Sequence, residues 1–142
     1  MTHEASDGWR IGNDKTKILV VEDDPRLRNM ICDVLDACGY EVTMADDGLQ
    51  AMERLKRSCP DIVITDIFMP NVDGIELAVQ IRREMPATSI IGMSGGGIIA
   101  KDDVLDIARR LGAPRTLSKP FTVEELVEAV EVTIAETSCR RR

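Results

Sequence analysis

The sequence predicts an α/β fold in which a doubly wound, five-stranded parallel sheet is flanked by five helices. Apolar runs of strand length alternate five times with stretches of helical periodicity, and the connections between them are short. The run Ile62-Val63-Ile64-Thr65-Asp66 is β-branched and almost wholly apolar, as fits a strand covered on both faces. Four of the runs also end in reactive groups: Glu22, Asp23 and Asp24, then Asp66, then Ser94, then Lys119. Parallel strands bring their carboxyl ends to one edge, and open α/β sheets place their sites along that edge.

Residues 1–16 are polar and contain Gly8, Gly12 and Asn13, which predicts a flexible leader carrying a mostly exposed Trp9. Lys17 to Val21 is the first strand. Pro25 opens a helix, and Leu27, Met30, Ile31, Val34 and Leu35 keep the spacing of one buried face until Gly39 stops it. Tyr40 to Met44 alternates and predicts the second strand. Asp46-Asp47-Gly48 is a turn, followed by a helix with Ala51, Met52 and Leu55 on one face and Pro60 beyond its end.

The central strand is expected over Asp61 to Asp66. A loop from Pro70 to Gly74 leads into a third helix marked by Ile75, Ala78, Ile81 and Met85. Ser89 to Met93 is a fourth strand ending at Ser94, and Gly95-Gly96-Gly97 breaks the pattern. A fourth helix carries Val104, Ile107, Ala108 and Leu111 and closes at Gly112. Arg115 to Ser118 is a short fifth strand running into Lys119-Pro120. Thr122, with Glu125 three residues on, forms a capping box for a last helix whose buried face is Val123, Leu126, Val127, Val130 and Ile134. The domain is thus expected over residues 17–136, with a polar, basic tail at 137–142 that ends in Arg140-Arg141-Arg142.

One domain suits 142 residues, and 44% hydrophobic with 30% charged residues indicates a globular chain with a real core. A net charge of -7 argues against bulk attraction to nucleic acid or to an anionic membrane. Cys32, Cys38, Cys59 and Cys139 make no C-x-x-C pair, and the lone His3 lies in the leader, so zinc is not expected. Cys32 and Cys38 are expected to pack in the first helix. No stretch has the length of a membrane span and no signal-peptide core opens the chain, so a reduced, cytoplasmic protein is expected.

Taken singly, the reactive groups have plain explanations. Three acids suit a helix N-terminus, Asp66 a turn, Ser94 a turn hydroxyl and Lys119 a solvated surface. Taken together, four separate strand ends supply complementary chemistry to one edge. Carboxylates packed together repel unless a cation is present, and an oxygen-only cluster suits Mg²⁺. Mg²⁺ leaves room for a phosphate oxygen, while a lysine and a hydroxyl neutralise and bond the other phosphoryl oxygens. The set fits phosphoryl transfer onto a carboxylate, with Asp66 as nucleophile.

On four motifs the sequence resembles the receiver domain of two-component response regulators, of the stand-alone, CheY-like type. They are Ile18-Leu19-Val20-Val21-Glu22-Asp23-Asp24-Pro25, Asp66-Ile67-Phe68-Met69-Pro70-Asn71-Val72-Asp73-Gly74, Met93-Ser94-Gly95 and Lys119-Pro120-Phe121, and the match spans roughly Lys17 to Ala135. The resemblance implies a (βα)5, flavodoxin-like fold and a phosphorelay role. Asp66 would accept a phosphoryl group from the histidine of a kinase or histidine phosphotransfer protein. Asp23, Asp66 and the backbone carbonyl of Phe68 would hold Mg²⁺, with Glu22 acting indirectly and Asp24 as a neighbour. Ser94 and Lys119 would bind the phosphoryl group, and the Lys119–Pro120 peptide would be cis. The first helix and Asn71 to Gly74 would face the donor.

Thr116 stands where the family usually carries an aromatic switch residue. The run of glycines with Ile98-Ile99 lengthens the loop into the fourth helix and marks it as the moving part. Phe68 and Gly96 cannot position water for hydrolysis, so slow self-dephosphorylation is expected. Phosphorylation is expected to change the surface of the fourth helix, fifth strand and fifth helix for a separate effector protein, the chain being a monomer or a dimer formed on phosphorylation. Such a module is not an enzyme beyond its own phosphorylation and dephosphorylation.

Two other readings compete. A phosphatase of the haloacid-dehalogenase class shares the aspartate, Mg²⁺ and lysine but needs a second Asp two residues on, where this chain has Phe68. A phosphorylation-independent pseudo-receiver scaffold needs a damaged acidic pocket, whereas every pocket residue is present.

Overall fold

The computed structural model describes residues 15–67, 74–95 and 115–141, without the side chains beyond Thr137. Five strands form one all-parallel sheet in the order β2-β1-β3-β4-β5. They are β1 (Lys17–Val21), β2 (Glu41–Ala45), β3 (Ile62–Asp66), β4 (Ser89–Ser94) and β5 (Arg115–Ser118). Four helices lie among the described residues: α1 (Pro25–Ala37), α2 (Gly48–Arg57), α3 (Gly74–Glu84) and α4 (Val123–Arg141). The predicted leader up to residue 14, the loop from Phe68 to Asp73 and the helix around Val104 to Leu111 fall outside the described residues.

Strand alternation divides the core into two layers. Leu19, Val21, Val63 and Ile90 point to one face and pack on Ala51 and Leu55 of α2 and on Leu77, Ala78 and Ile81 of α3. Ile18, Val20, Ile62, Ile64 and Ile91 point to the other, against Ile31, Cys32 and Leu35 of α1 and Leu126, Ala129 and Val130 of α4. Every residue of β3 is buried, the apolar Ile62-Val63-Ile64 and the polar Thr65 and Asp66 alike. Burying each such aliphatic side chain is worth about 1.5–3 kcal/mol relative to exposure.

The helix ends follow local chemistry. Asp24 caps α1 by accepting from the Arg26 N–H at 3.0 Å, with Pro25 in the first turn. Gly39 sits at φ 94°, the left-handed conformation that ends a helix and favours glycine. Asp47 caps α2 by accepting from Gln50 N–H at 2.9 Å. At α4 the capping box is complete: Glu125 N–H donates to Thr122 Oγ1 at 3.0 Å, and Thr122 N–H donates to Glu125 Oε1 at 2.8 Å.

Several boundaries and burials differ from the sequence expectation. β2 is shifted by one residue and is an edge strand, so its Met44 is exposed. Val123 is exposed because it stands at the first turn of α4, before the helix reaches the sheet; Ala129 and Thr133 are buried on that helix instead. Cys38 is exposed at the C-cap of α1, one residue beyond the packed helix, while Cys32 is buried as expected. α4 runs on through the polar stretch to Arg141. Thr137 explains part of that continuation: its hydroxyl donates to the Thr133 carbonyl at 2.9 Å and lies 2.9 Å from Ser89 Oγ. Among the described residues, no helix is long and apolar enough to cross a membrane.

Candidate functional site

The carboxyl edge of the sheet gathers four side chains from three strand ends. Glu22, Asp23 and Asp66 each offer an oxygen, and these oxygens all lie within 4.8 Å of one another. Lys119 Nζ donates to Glu22 Oε1 at 2.7 Å and pairs with Asp66 Oδ1 at 2.6 Å. Register explains the convergence. Val21 pairs with Thr65 and Asp66 with Met93, so the residues that follow β1 stand beside the end of β3. Lys119 is tied in by its own N–H, which donates to the Ser94 carbonyl at 2.7 Å.

Glu22 is the most deeply buried of the acids, at 1% exposure, and both its oxygens are engaged. Oε1 accepts from Lys119, and Oε2 accepts from the Asp24 N–H at 3.0 Å. Burial opposes its charge, yet the Lys119 ammonium and the Asp24 amide hold its carboxyl below the usual range. Asp66, buried at 6% exposure, goes the other way. Burial pushes it up to about 7, Lys119 pulls against that, and the Glu22 carboxylate adds to the rise. Asp23 is exposed, and its proximity to Glu22 raises it. For Lys119, burial works against the charge, but the two carboxylates prevail and raise its pKa.

One ammonium therefore serves three crowded acids, and two of the acids have carboxyls raised above their ordinary values. An added hard divalent cation would relieve that repulsion, and the donors are all oxygen. Glu22 has both oxygens engaged, one by Lys119 and one by the Asp24 N–H, whereas Asp66 pairs with Lys119 through Oδ1, which leaves Asp23 and Asp66 as the carboxylates better placed for a cation. The donor set thus fits Mg²⁺, which takes one or two carboxylates and keeps several waters.

The other predicted residues fall around this group. Ser94 is half-buried at the end of β4, one residue past the register partner of Asp66. Asp24 is the α1 cap. The Lys119–Pro120 peptide is cis. Thr116 is half-buried on β5 opposite Gly92, beside a cavity of about 450 Å³ between β5 and α4 that Leu117, Phe121 and Ala129 also line. Phe68 and Gly96 lie outside the described residues. A groove of about 540 Å³ opens next to Lys119 between α1 and the turn that joins β5 to α4, lined by Leu27, Met30, Pro120 and Phe121.

One neighbour escaped the sequence reading. Arg28 lies on α1 and bonds the main chain of Glu22. Nothing in its spacing marks it, because an arginine between apolar helix positions reads as solvated.

Comparison with known proteins places this geometry in context. The family model described as "Response regulator receiver domain" matches residues 18–131. The response regulator receiver protein CpdR of Brucella abortus (strain 2308) is 36% identical over 115 residues, which cover 81% of this chain and 93% of that protein. The response regulator MprA of Mycobacterium sp. (strain KMS) is 34% identical over 124 residues, covering 86% of this chain and 52% of MprA. The chain thus spans most of the first relative and about half of the second. Among solved structures, a putative response regulator from Chloroflexus aurantiacus J-10-fl superposes with a TM-score of 0.77 at 30% identity, covering 86% of this chain and 99% of that one.

Proposed function

The chain belongs to the receiver-domain family of two-component response regulators, and on that premise we propose that Asp66 accepts a phosphoryl group from a partner's phosphohistidine. The observation that carries the reading is the pairing of a buried Asp66 with Lys119, 2.6 Å away, beside the exposed carboxylate of Asp23.

An Asp66 carboxylate oxygen attacks phosphorus, a P–O bond forms, and the P–N bond to the histidine breaks. The leaving imidazole nitrogen takes a proton from solvent. Asp66 must be ionised to attack, and Lys119 favours that form. Once the acyl phosphate exists, Lys119 is placed to bond a phosphoryl oxygen in place of the carboxylate, with the Ser94 hydroxyl as a second donor. Asp23 and Asp66, with the Phe68 carbonyl that the family resemblance implies, would hold Mg²⁺, which would supply positive charge for the phosphoryl oxygens. Glu22 acts from behind, holding Lys119 and the turn into α1.

The groove beside Lys119 supports docking of the histidine donor, a kinase or phosphotransfer protein, against α1. Output passes through the β5 and α4 surface, together with the predicted helix before β5, to a separate effector. The cavity beside Thr116 offers room for that surface to repack even though Thr116 is not aromatic. The module turns over no substrate other than its own phosphoryl group, and a cytoplasmic setting suits a phosphohistidine donor.

Intact mass after incubation with Mg²⁺ and a small acyl-phosphate donor tests the reading. One added phosphoryl group, labile to hydroxylamine and absent from Asp66→Ala, is expected. A folded wild-type protein that takes up none would leave the phosphorylation-independent scaffold as the better account.

A further inference from the structure

We propose that Arg28 is a positioning residue for the cation cup, fixing the peptide that joins Glu22 to Asp23 and thereby the directions of both carboxylates. The inference rests on the receiver reading above and adds a residue to its machinery.

The main chain of Glu22 is held at both its polar groups, by the end of β2 and by Arg28 of α1. Its N–H donates to the Ala45 carbonyl at 3.2 Å. Its carbonyl accepts from Arg28 Nη1 at 3.0 Å, and the same nitrogen lies 3.0 Å from Asp46 Oδ1. Asp46 is itself anchored, since its N–H donates to Gln50 Oε1 at 2.8 Å in the first turn of α2. A chain of bonds therefore runs from α2 through Asp46 and Arg28 to the peptide between the two acids. That peptide is planar, so a carbonyl held in place also sets the plane from which the Asp23 Cα departs.

Arg28 is poorly explained as a surface ion pair. Its side chain is only 14% exposed, whereas that of Asp46 is 60% exposed, so most of the desolvation falls on the arginine. Its Nε is buried with no partner among the described residues. An unpaired buried N–H is a penalty, and a methionine would cover the same apolar surface without it. What the arginine adds is one N–H group shared between a site carbonyl and a fixed carboxylate. Partners one shell out from a metal commonly govern its affinity in this way.

The test is Mg²⁺ affinity, measured by calorimetry on the full chain for wild type, Arg28→Met, Arg28→Lys, Asp46→Asn and the double variant Arg28→Met with Asp46→Asn. Arg28→Met is expected to weaken Mg²⁺ by about tenfold while the metal-free unfolding midpoint stays close to wild type. Arg28→Lys should recover part of the loss. Asp46→Asn should weaken binding less and add nothing in the Arg28→Met background. Wild-type affinity in both Arg28→Met and Asp46→Asn would overturn the inference and leave the receiver reading standing. Absence of Mg²⁺ binding in the wild type would overturn both. Should Arg28→Met fail to fold, the exposed Asp46→Asn decides alone.

Discussion

Lys119 Nζ stands between two carboxylates from different strand ends, 2.7 Å from Glu22 Oε1 and 2.6 Å from Asp66 Oδ1. One ammonium thus balances two buried acids. Replacing it with methionine leaves both unpaired. Lys119→Met should lower stability at pH 8 by about 1–3 kcal/mol, below the range for fully buried pairs because Lys119 is a quarter exposed. Urea unfolding at pH 8 and pH 5 checks this, and the loss should shrink at pH 5 as Asp66 takes up a proton. An equal loss at both pH values would contradict it.

Asp66 titrates near 7 in the folded protein against an ordinary 3.8. Between those values the folded state binds the proton and the unfolded chain does not, so Asp66 makes stability fall as pH rises, up to about 7. Glu22 works in the opposite direction. Held below its ordinary value, it adds stability that is lost as pH falls through its folded pKa. Metal-free stability should therefore peak in mildly acidic solution. Asp66→Asn should remove the decline toward pH 8 and leave the variant on the order of 2–4 kcal/mol more stable than wild type there. Saturating Mg²⁺ should flatten the wild-type profile by favouring ionised Asp66. Chemical unfolding from pH 4 to pH 8 decides it, and wild-type and Asp66→Asn curves of the same slope would be the contrary result.

Gly74 begins α3 directly against the end of β3. A Cβ there would collide with the Asp66 carbonyl oxygen and stand 2.6 Å from that of Ile67, both backbone atoms. Relief requires moving the helix away from the strand that carries Asp66. Gly74→Ala should lose about 2–3 kcal/mol and slow phosphoryl uptake as well. Gly92→Ala makes a useful contrast, because its Cβ would meet the flexible tip of Ile67 at 2.9 Å. Thermal unfolding of the pair should rank Gly74→Ala as clearly the worse.

The capping box at α4 offers a control that makes no bond to the acids of the site. Thr122→Ala removes one half of the reciprocal bond to Glu125 and should cost about 1 kcal/mol. Phosphoryl uptake per folded molecule should be unchanged, as mass spectrometry beside a denaturation curve would establish.

Much of the fold was legible because its signals are local. The β-branched run of β3, Pro25 at the start of α1, Gly39 at its end and the spacing from Thr122 to Glu125 each act within a few residues. The acids and Lys119 were legible as a group because parallel strands leave their carboxyl ends together. What the sequence hid depends on neighbours distant in the chain. Val123 fits the apolar spacing but precedes the point where α4 meets the sheet, and Met44 is exposed because β2 has no strand beyond it. The unequal standing of Glu22 and Asp23 is also tertiary, since adjacent residues with similar side chains end up with opposite exposure. Arg28 acts through a main-chain carbonyl, which carries no side-chain identity for a motif to record.

Glu22 and Lys119 are 97 residues apart in the chain, yet they share a hydrogen bond. During synthesis the acids emerge from the ribosome before their counter-charge. Until the segment bearing Lys119 is delivered and β5 is docked, Asp66 faces Glu22 with no lysine between them, which is the arrangement least able to take a phosphoryl group. On the proposed reading, an incomplete chain is silent toward its donor, and a nick anywhere between β4 and β5 that lets the last strand leave would silence a finished one.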